Sequence, residues 1–294
     1  MSARVPQQSG LALIAVLWII VALALFASGL ADTARTQVRG AEGIIDELRL
    51  RASGDAAILL ALQEAAASGQ PVVRLVEHRY VFEGEEVAVR IVPSGGLLNL
   101  NLASESLLAD GLVTLAHIDP DHAAALAGNI ARWRDFAANA GGHAATTDQY
   151  RHEPFRVIED LLQVPGFGYD LFVILRRFLT VDLVGDGLVA PLAAPVEVLS
   201  VLARGDLAMA RHIAALRDAG DPVIDMTMLE QRHMGAHAGG LLHLEARLGE
   251  RNGHGRVRAA SARLRPLPGG RMAPQIISVQ TLPVGDWHPE LQVR

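Results

Sequence analysis

Leu11 to Ala31 is an unbroken uncharged run, LALIAVLWIIVALALFASGLA, bounded by Arg4 on one side and by Asp32 and Arg35 on the other. As a helix this run is long enough to cross a bilayer. Beyond it, Ala34, Val38, Ala41, Ile45, Leu48 and Ala52 recur at alternating steps of four and three, and Ile58, Leu59, Leu62 and Ala65 extend the stripe. The pattern predicts one helix from about residue 11 to 67, roughly 85 Å long, whose first half sits in an apolar medium and whose second half backs a folded domain. Gly40, Gly43 and Gly54 each weaken it by up to about 1 kcal/mol relative to Ala. Ser68, Gly69 and Pro71 end it. The period then changes to two. Val72 to Phe82 and Glu86 to Val92, separated by Glu83-Gly84-Glu85, predict a hairpin lying on the stem helix, with Val87, Val89 and Ile91 on its buried face.

For more than a hundred residues after that, helical spacing returns. It is carried by Gly96 to Leu108, Asp121 to Phe136, Asp206 to Ala219, and Glu153 to Leu179 with a break at VPGFG, a block expected to have its own core with Trp133, Phe155, Leu161, Leu162 and Phe172 buried in it. Asn101 is suited to cap a helix starting near Ala103, and Pro154 to open another; Ala140 to Thr147 reads as a loop. A weak repeat runs through this block. Gly96-Leu97-Leu98-Asn99-Leu100-Asn101-Leu102-Ala103-Ser104, then Leu107-Leu108, is echoed by Gly187-Leu188-Val189-Ala190-Pro191-Leu192-Ala193-Ala194-Pro195, then Val198-Leu199. Each copy delivers a Gly, an extended apolar link, a small residue and an amphipathic helix. From Val223 the chain looks like strands: LLHLEARLGE, GRVRAASARLRP and APQIISVQ alternate over short runs. They are expected to complete an antiparallel sheet with the first hairpin, which makes the helical block an insertion into an α+β domain.

Composition narrows the function classes. The 294 residues carry 26 basic and 32 acidic groups, a net charge of −6, which argues against a duplex nucleic-acid binder. Every basic residue is Arg, which we read as genome composition bias. With no Cys, disulfide scaffolds, thiol catalysis, Cys-zinc sites and iron-sulfur clusters are excluded. Only 4% of residues are aromatic, which disfavours a base-stacking or carbohydrate platform.

Hydropathy alone admits a signal anchor or a cleaved secretory signal at the N-terminus. Against cleavage after the apolar run stand its length, the lack of a small-x-small site behind it, and the polar decapeptide ending in Gly10 ahead of it. QQSG followed at once by LALIAVLW resembles the leader of type IV pilins and pseudopilins. The resemblance implies that a prepilin peptidase cuts between Gly10 and Leu11 on the cytoplasmic side and leaves the helix on the mature chain. Counted from Leu11, the fifth position is Ala15, where most pilins carry Glu; an apolar fifth residue is the habit of the K-type minor pseudopilin of type II secretion. The family pattern Gly-x-hydrophobic-Asn-x-Asn-Thr-Ala-Ser is met at Gly96, Asn99, Asn101, Ala103 and Ser104, with Leu102 in place of Thr. Its Trp-x-Asp is met by Trp133 and Asp135. Its Tyr, Pro-Phe and Glu-Leu-Leu-x-Val-Pro-Gly string is met by Tyr150, Pro154, Phe155 and Glu159 to Gly166, with Asp160 inserted.

The resemblance implies an α+β pilin-like fold, a long N-terminal helix packed on an antiparallel sheet, with a large inserted all-α domain of the SAM or helix-hairpin-helix kind. The expected parts are a leader (1–10), a transmembrane and stem helix (11–70), a hairpin (71–95), an inserted helical domain (96–220) and closing strands (221–294). It implies a single-pass protein of the bacterial inner membrane with a periplasmic C-terminal domain, working at the pseudopilus tip with the I- and J-type minor pseudopilins and the major pseudopilin.

Three groups of residues are candidates for chemistry. Leu162 to Gly166, LQVPG, is similar to the hairpin of helix-hairpin-helix DNA-binding modules, whose amides hold a phosphate; the alternative to a secretion role is therefore a membrane-anchored DNA-binding or uptake protein. On an acidic chain, a tight turn between packed helices is the simpler reading. His233 and His237, with His243 and His254 downstream, have metal-ligand spacing, but the Gly-rich context favours a solvated loop. Asp119, Asp121, Asp135, Asp148 and Glu153 offer oxygens for calcium, which some pseudopilins bind, with Asp135, Asp148 and Glu153 as the candidate ligands; Asp121 and Asp148 also suit helix capping. No P-loop, nucleophile elbow or zinc-protease motif is present, so no enzymatic activity is expected.

Overall fold

The computed structural model describes residues 9–135, 151–251 and 254–283, with side chains throughout except at 9–13, 24–43, 46, 249–251, 254–256 and 283. One helix, α1, runs Ser9–Ala67. The chain divides into two compact units between Ala52 and Ser53.

In the first unit the α1 side chains of Ile14, Val16, Leu17, Trp18, Ile19, Ile20 and Leu23 are all exposed, as are Ile44, Ile45 and Leu48. Among the described residues no helix is long and apolar enough to cross a membrane. The expected span Leu11 to Ala31 lies partly outside the described side chains.

The second unit opens with the last turns of α1. Ala57, Ile58, Ala61 and Leu62 are buried, at the i, i+1, i+4 and i+5 spacing of one helical face. Leu59, expected on that stripe, is exposed, because two small alanines complete the face instead. This face meets a five-stranded antiparallel sheet of order β1-β2-β5-β6-β7, made of β1 (Val76–Phe82), β2 (Glu85–Pro93), β5 (Leu242–Arg251), β6 (His254–Pro266) and β7 (Met272–Pro283). Val87, Val89 and Ile91 of β2 and Leu244, Ala246 and Leu248 of β5 supply the opposing core. Gly54 allows the closest approach, since a Cβ there would lie 2.9 Å from Arg258 Cβ. One residue on, Asp55 takes a bidentate pair from the Arg258 guanidinium, at 2.7 and 3.1 Å. The β1–β2 turn is two residues, not three. Glu83 and Gly84 both have positive φ, 50° and 86°, as a type I′ hairpin turn requires.

The helical segment enters between β2 and β5, which are neighbours in the sheet. Its two ends meet, Ser94 N–H donating to Leu241 O at 2.9 Å. Within it lie α2 (Glu105–Ala116), α3 (Pro120–Trp133), α4 (Tyr169–Leu175), α5 (Val196–Leu202) and α6 (Leu207–Asp218). Their shared core includes Leu107, Leu126, Ile130, Trp133, Phe155, Leu161, Phe172 and Leu199. Leu162, expected inside together with Leu161, is instead exposed, because Ile158–Gln163 is a 3-10 helix that turns Leu161 inward and Leu162 away from the core.

Several local expectations are revised. The segment is not wholly helical, since β3 (Leu98–Asn99) pairs in parallel with β4 (Leu179–Thr180). Ser104, not Asn101, caps α2, its Oγ accepting from Leu107 N–H. Asn101 is drawn away to Phe155, accepting from its N–H at 2.8 Å and donating to its carbonyl at 3.0 Å. Pro154 opens no helix; the chain there is irregular, and Phe155 is buried in the core. Residues 223–241 form no strand; they hold a 3-10 turn at Gln231–His233 and an isolated parallel bridge from Met234 to Val189. The expected loop from Ala140 to Thr147 lies outside the described residues.

The sequence repeat has a structural meaning. A Cβ on Gly96 would lie 2.1 Å from Ala193 O, and one on Gly187, whose φ is +77°, 2.2 Å from Leu102 O. Ala193 and Leu102 hold the same place in their own copies, so the two links press on each other reciprocally, the signature of a two-fold relation. Each copy then launches a helix at the same offset, α2 at Glu105 and α5 at Val196.

Candidate assembly site

Three places bear on function: the start of α1, the acidic positions near α3, and the joint where the helical segment meets the sheet.

The backbone at Gly10 and Leu11 is helical, with α1 beginning at Ser9; their side chains lie outside those described. Ala15 is exposed, between the exposed Ile14 and Val16. Its methyl group has neither charge nor hydrogen-bonding capacity, so it cannot pair with an amine or a cation. Trp18 is 71% exposed, and with its neighbours it makes an apolar surface on every side of the helix, not a stripe. Such a surface needs lipid or other helices around it.

The calcium candidates do not assemble into a ligand set among the described residues, where no group of three His, Asp or Glu converges. Asp148 lies outside those residues. Glu153 is brought beside the end of α3, its N–H donating to Trp133 O at 3.1 Å, but its carboxylate faces Arg156 at 3.4 Å. Asp119 is the N-cap of α3, accepting from Asp121 N–H and His122 N–H, so the cap sits two residues before Asp121.

The LQVPG turn is packed, and two of the amides at its end are occupied. Val164 N–H donates to Leu161 O and Phe167 N–H to Val164 O, while Pro165 O accepts from Asn129 of α3. Gly166, with φ +84°, sits against Leu126. A phosphate would find those two donors already committed. The histidines also part company. His233 is not solvated but buried, its Nε2 2.9 Å from Asp110 Oδ2, whereas His237 Nδ1 accepts from Gly239 N–H. His243 points instead to Thr180 Oγ1 at 3.2 Å, and the side chain of His254 lies outside those described.

The joint was missed from sequence. Asp182 is almost wholly buried, yet its Oδ2 accepts from Ser94 Oγ at 2.6 Å, Gly240 N–H at 2.6 Å and Leu241 N–H at 3.0 Å, and its Oδ1 from Val184 N–H at 3.1 Å. Its backbone carbonyl accepts from Asn99 Nδ2 at 2.7 Å. Four well-made hydrogen bonds stabilise a buried carboxylate, and here they tie both ends of the helical segment to its middle. Asn99 and Asn101 are the second half of this lock, Asn99 Oδ1 accepting from Asn101 N–H while Asn101 Nδ2 donates to Val181 O. Their shared spacing was visible in sequence. For Asp182 the only signal was a lone carboxylate among apolar neighbours, TVDLV.

Beside the joint, between the sheet and the helices, is a cavity of about 130 Å³ lined by Arg90, Arg177, Phe178, Glu197, His243 and Glu245. Burial pushes His243 down to about 4 against the pull of Asp182, so the ring is neutral at pH 7. Burial also raises Glu245, with Arg90, Arg177 and Arg247 opposing.

No protein-family profile and no curated protein matches the chain. Among solved structures it is similar to a chain of the GspK-GspI-GspJ complex from the enterotoxigenic Escherichia coli type 2 secretion system, with 13% identity, a TM-score of 0.48, and coverage of 83% of this chain and 99% of that one.

Proposed function

We propose that this chain is a noncatalytic minor pseudopilin of the K type, anchored in the bacterial inner membrane by Leu11 to Ala31 and assembled at the tip of a type II secretion pseudopilus with the I- and J-type and major pseudopilins. The observation that carries the reading is α1 itself. It is helical through Gly10 and Leu11, presents apolar side chains all round, and ends by backing an antiparallel sheet interrupted by a helical segment. A prepilin peptidase acting on this chain cuts between Gly10 and Leu11, leaving Leu11 as the new, methylated terminus. The segment between β2 and β5 serves as the inserted domain that covers the tip.

Ala15 gives the tip position its physical logic. A charged residue at a helix centre in a bilayer costs about 2.5–3.5 kcal/mol on insertion scales. The Glu of ordinary pilins offsets that cost by pairing with the terminal amine of an adjacent subunit, so each helix recruits another. Ala15 cannot make that pair. The chain offers its own amine to a subunit below and no carboxylate to one above.

Mass spectrometry of the membrane-extracted protein tests the assignment: residues 1–10 are absent and Leu11 carries a methylated amine. An intact N-terminus, or cleavage near Ala31, overturns it. Locating labelled protein on the pseudopilus tests the tip position, and label spread along the shaft of the unmodified protein defeats that part of the reading.

A further inference from the structure

A wide groove of about 1840 Å³ runs between the β1 side of the sheet and the helices α2, α4, α5 and α6, and its charge is the reverse of the chain's. Its walls hold eight arginines against three carboxylates, Glu77, Glu197 and Asp218, in a protein whose acids outnumber its bases, 32 to 26. Arg204 is committed to Glu230, Arg217 to Ala194 O and Asp218, and Arg79 to Glu77 and Glu86, so these three build the wall. Arg74 and Arg211 also line the groove and are the cations that a ligand would meet, Arg211 from an exposed position. Clefts lined by one sign of charge focus that field on whatever enters.

The groove also has a backbone element. β1 is the terminal strand, paired with β2 on one side only, and Val76 to Arg79 line the groove. An edge strand presents a row of N–H and C=O groups ready to pair with another extended chain. Exposed Glu77, Arg79 and Val81 alternate along it, and no described strand covers it. Charge selects an acidic ligand, and a free strand edge selects an extended polypeptide over a nucleic acid, which has no backbone amides to complete the ladder.

We propose that this groove docks an extended acidic segment of a partner protein, which adds a strand to β1 and sets its carboxylates against Arg74 and Arg211. The assignment stands apart from the pseudopilin reading and holds whether or not the chain belongs to a pseudopilus.

The test is fluorescence anisotropy of the full chain in neutral detergent with a labelled peptide of alternating Glu and Val. We expect saturable binding that weakens at least tenfold in the double variant Arg74→Glu, Arg211→Glu, weakens again at high salt, and is lost when alternate peptide nitrogens are methylated in one of the two frames. Arg74→Gln with Arg211→Gln is the milder second variant and is expected to weaken binding by a smaller factor with an unchanged melting profile. Equal binding of an alternating Lys and Val peptide overturns the proposal. So does insensitivity to N-methylation in both frames, preferential binding of single-stranded DNA through the same arginines, or a self-associated dimer that buries the groove and that the peptide does not dissolve.

Discussion

At the scale of single residues, the structure is most exposed to damage where one polar group serves several partners. Asp182→Ala leaves the Ser94 hydroxyl and the Gly240 and Val184 amides without this acceptor, while Leu241 N–H keeps Ser94 Oγ, and each donor stranded away from water costs about 1–3 kcal/mol. We expect at least about 3 kcal/mol in chemical denaturation, with Asp182→Asn milder because one acceptor oxygen survives. Trp133 stacks on Phe155 with ring centroids 6.0 Å apart and is buried, so Trp133→Ala is expected to cost about 3–5 kcal/mol. His243 makes a pH prediction. Its folded value of about 4 lies below the 6.5 of a free ring, so as pH falls the unfolded chain takes up the proton first. Its contribution to stability is full above pH 6.5 and is lost between 6.5 and about 4. Thr180, Ser261 and Asp182 face the ring and none replaces the lost solvation. Subtracting the stability curve of His243→Asn from that of the unmodified protein isolates this fall; a flat difference refutes it.

Elements here are set as much by close approach as by propensity. Gly187→Ala meets both a positive φ and the Leu102 carbonyl, and Gly96→Ala meets the Ala193 carbonyl. Each should lower the melting temperature sharply, by several kcal/mol of stability, since strain alone at such sites is about 1–3 kcal/mol and backbone must also move. Gly128 in α3 is the contrast. A Cβ there touches nothing within 4 Å, so Gly128→Ala is expected to stabilise by about 0.5–1 kcal/mol through helix propensity. The repeat that contains Gly96 and Gly187 was legible as a pattern. That its copies clasp each other was not, because reciprocity joins residues about ninety positions apart.

For the whole second unit, the helical segment keeps its core to itself. Every buried member of the main apolar cluster lies between Leu98 and Leu229, and the ends of the segment meet through Ser94 and Leu241. We therefore expect residues 94–241, expressed alone, to melt cooperatively with helical circular dichroism; a chain that binds hydrophobic dye and shows no transition contradicts this. The sheet depends on pairing β2 with β5 across that whole segment, a long-range contact that slows folding. The pair between Asp55 and Arg258 clamps β6 to α1.

The sequence by itself determined what depends on neighbours close along the chain. It placed the single helix ending at Ser68, the hairpin around Glu83-Gly84, the three later strands, the helix Leu207–Asp218, and the burial of Trp133, Phe155, Leu161 and Phe172, since periodicity and turn residues act over one or two turns. Tertiary structure decided the rest. Asn101 reads as a cap until Phe155 arrives to claim it, and Pro154 reads as a helix start until its neighbour Phe155 is drawn into the core. His233 reads as solvated until Asp110, on a different element, accepts it. A hydrogen bond is worth most where water is excluded, and which polar groups lose their water is settled only when distant segments pack.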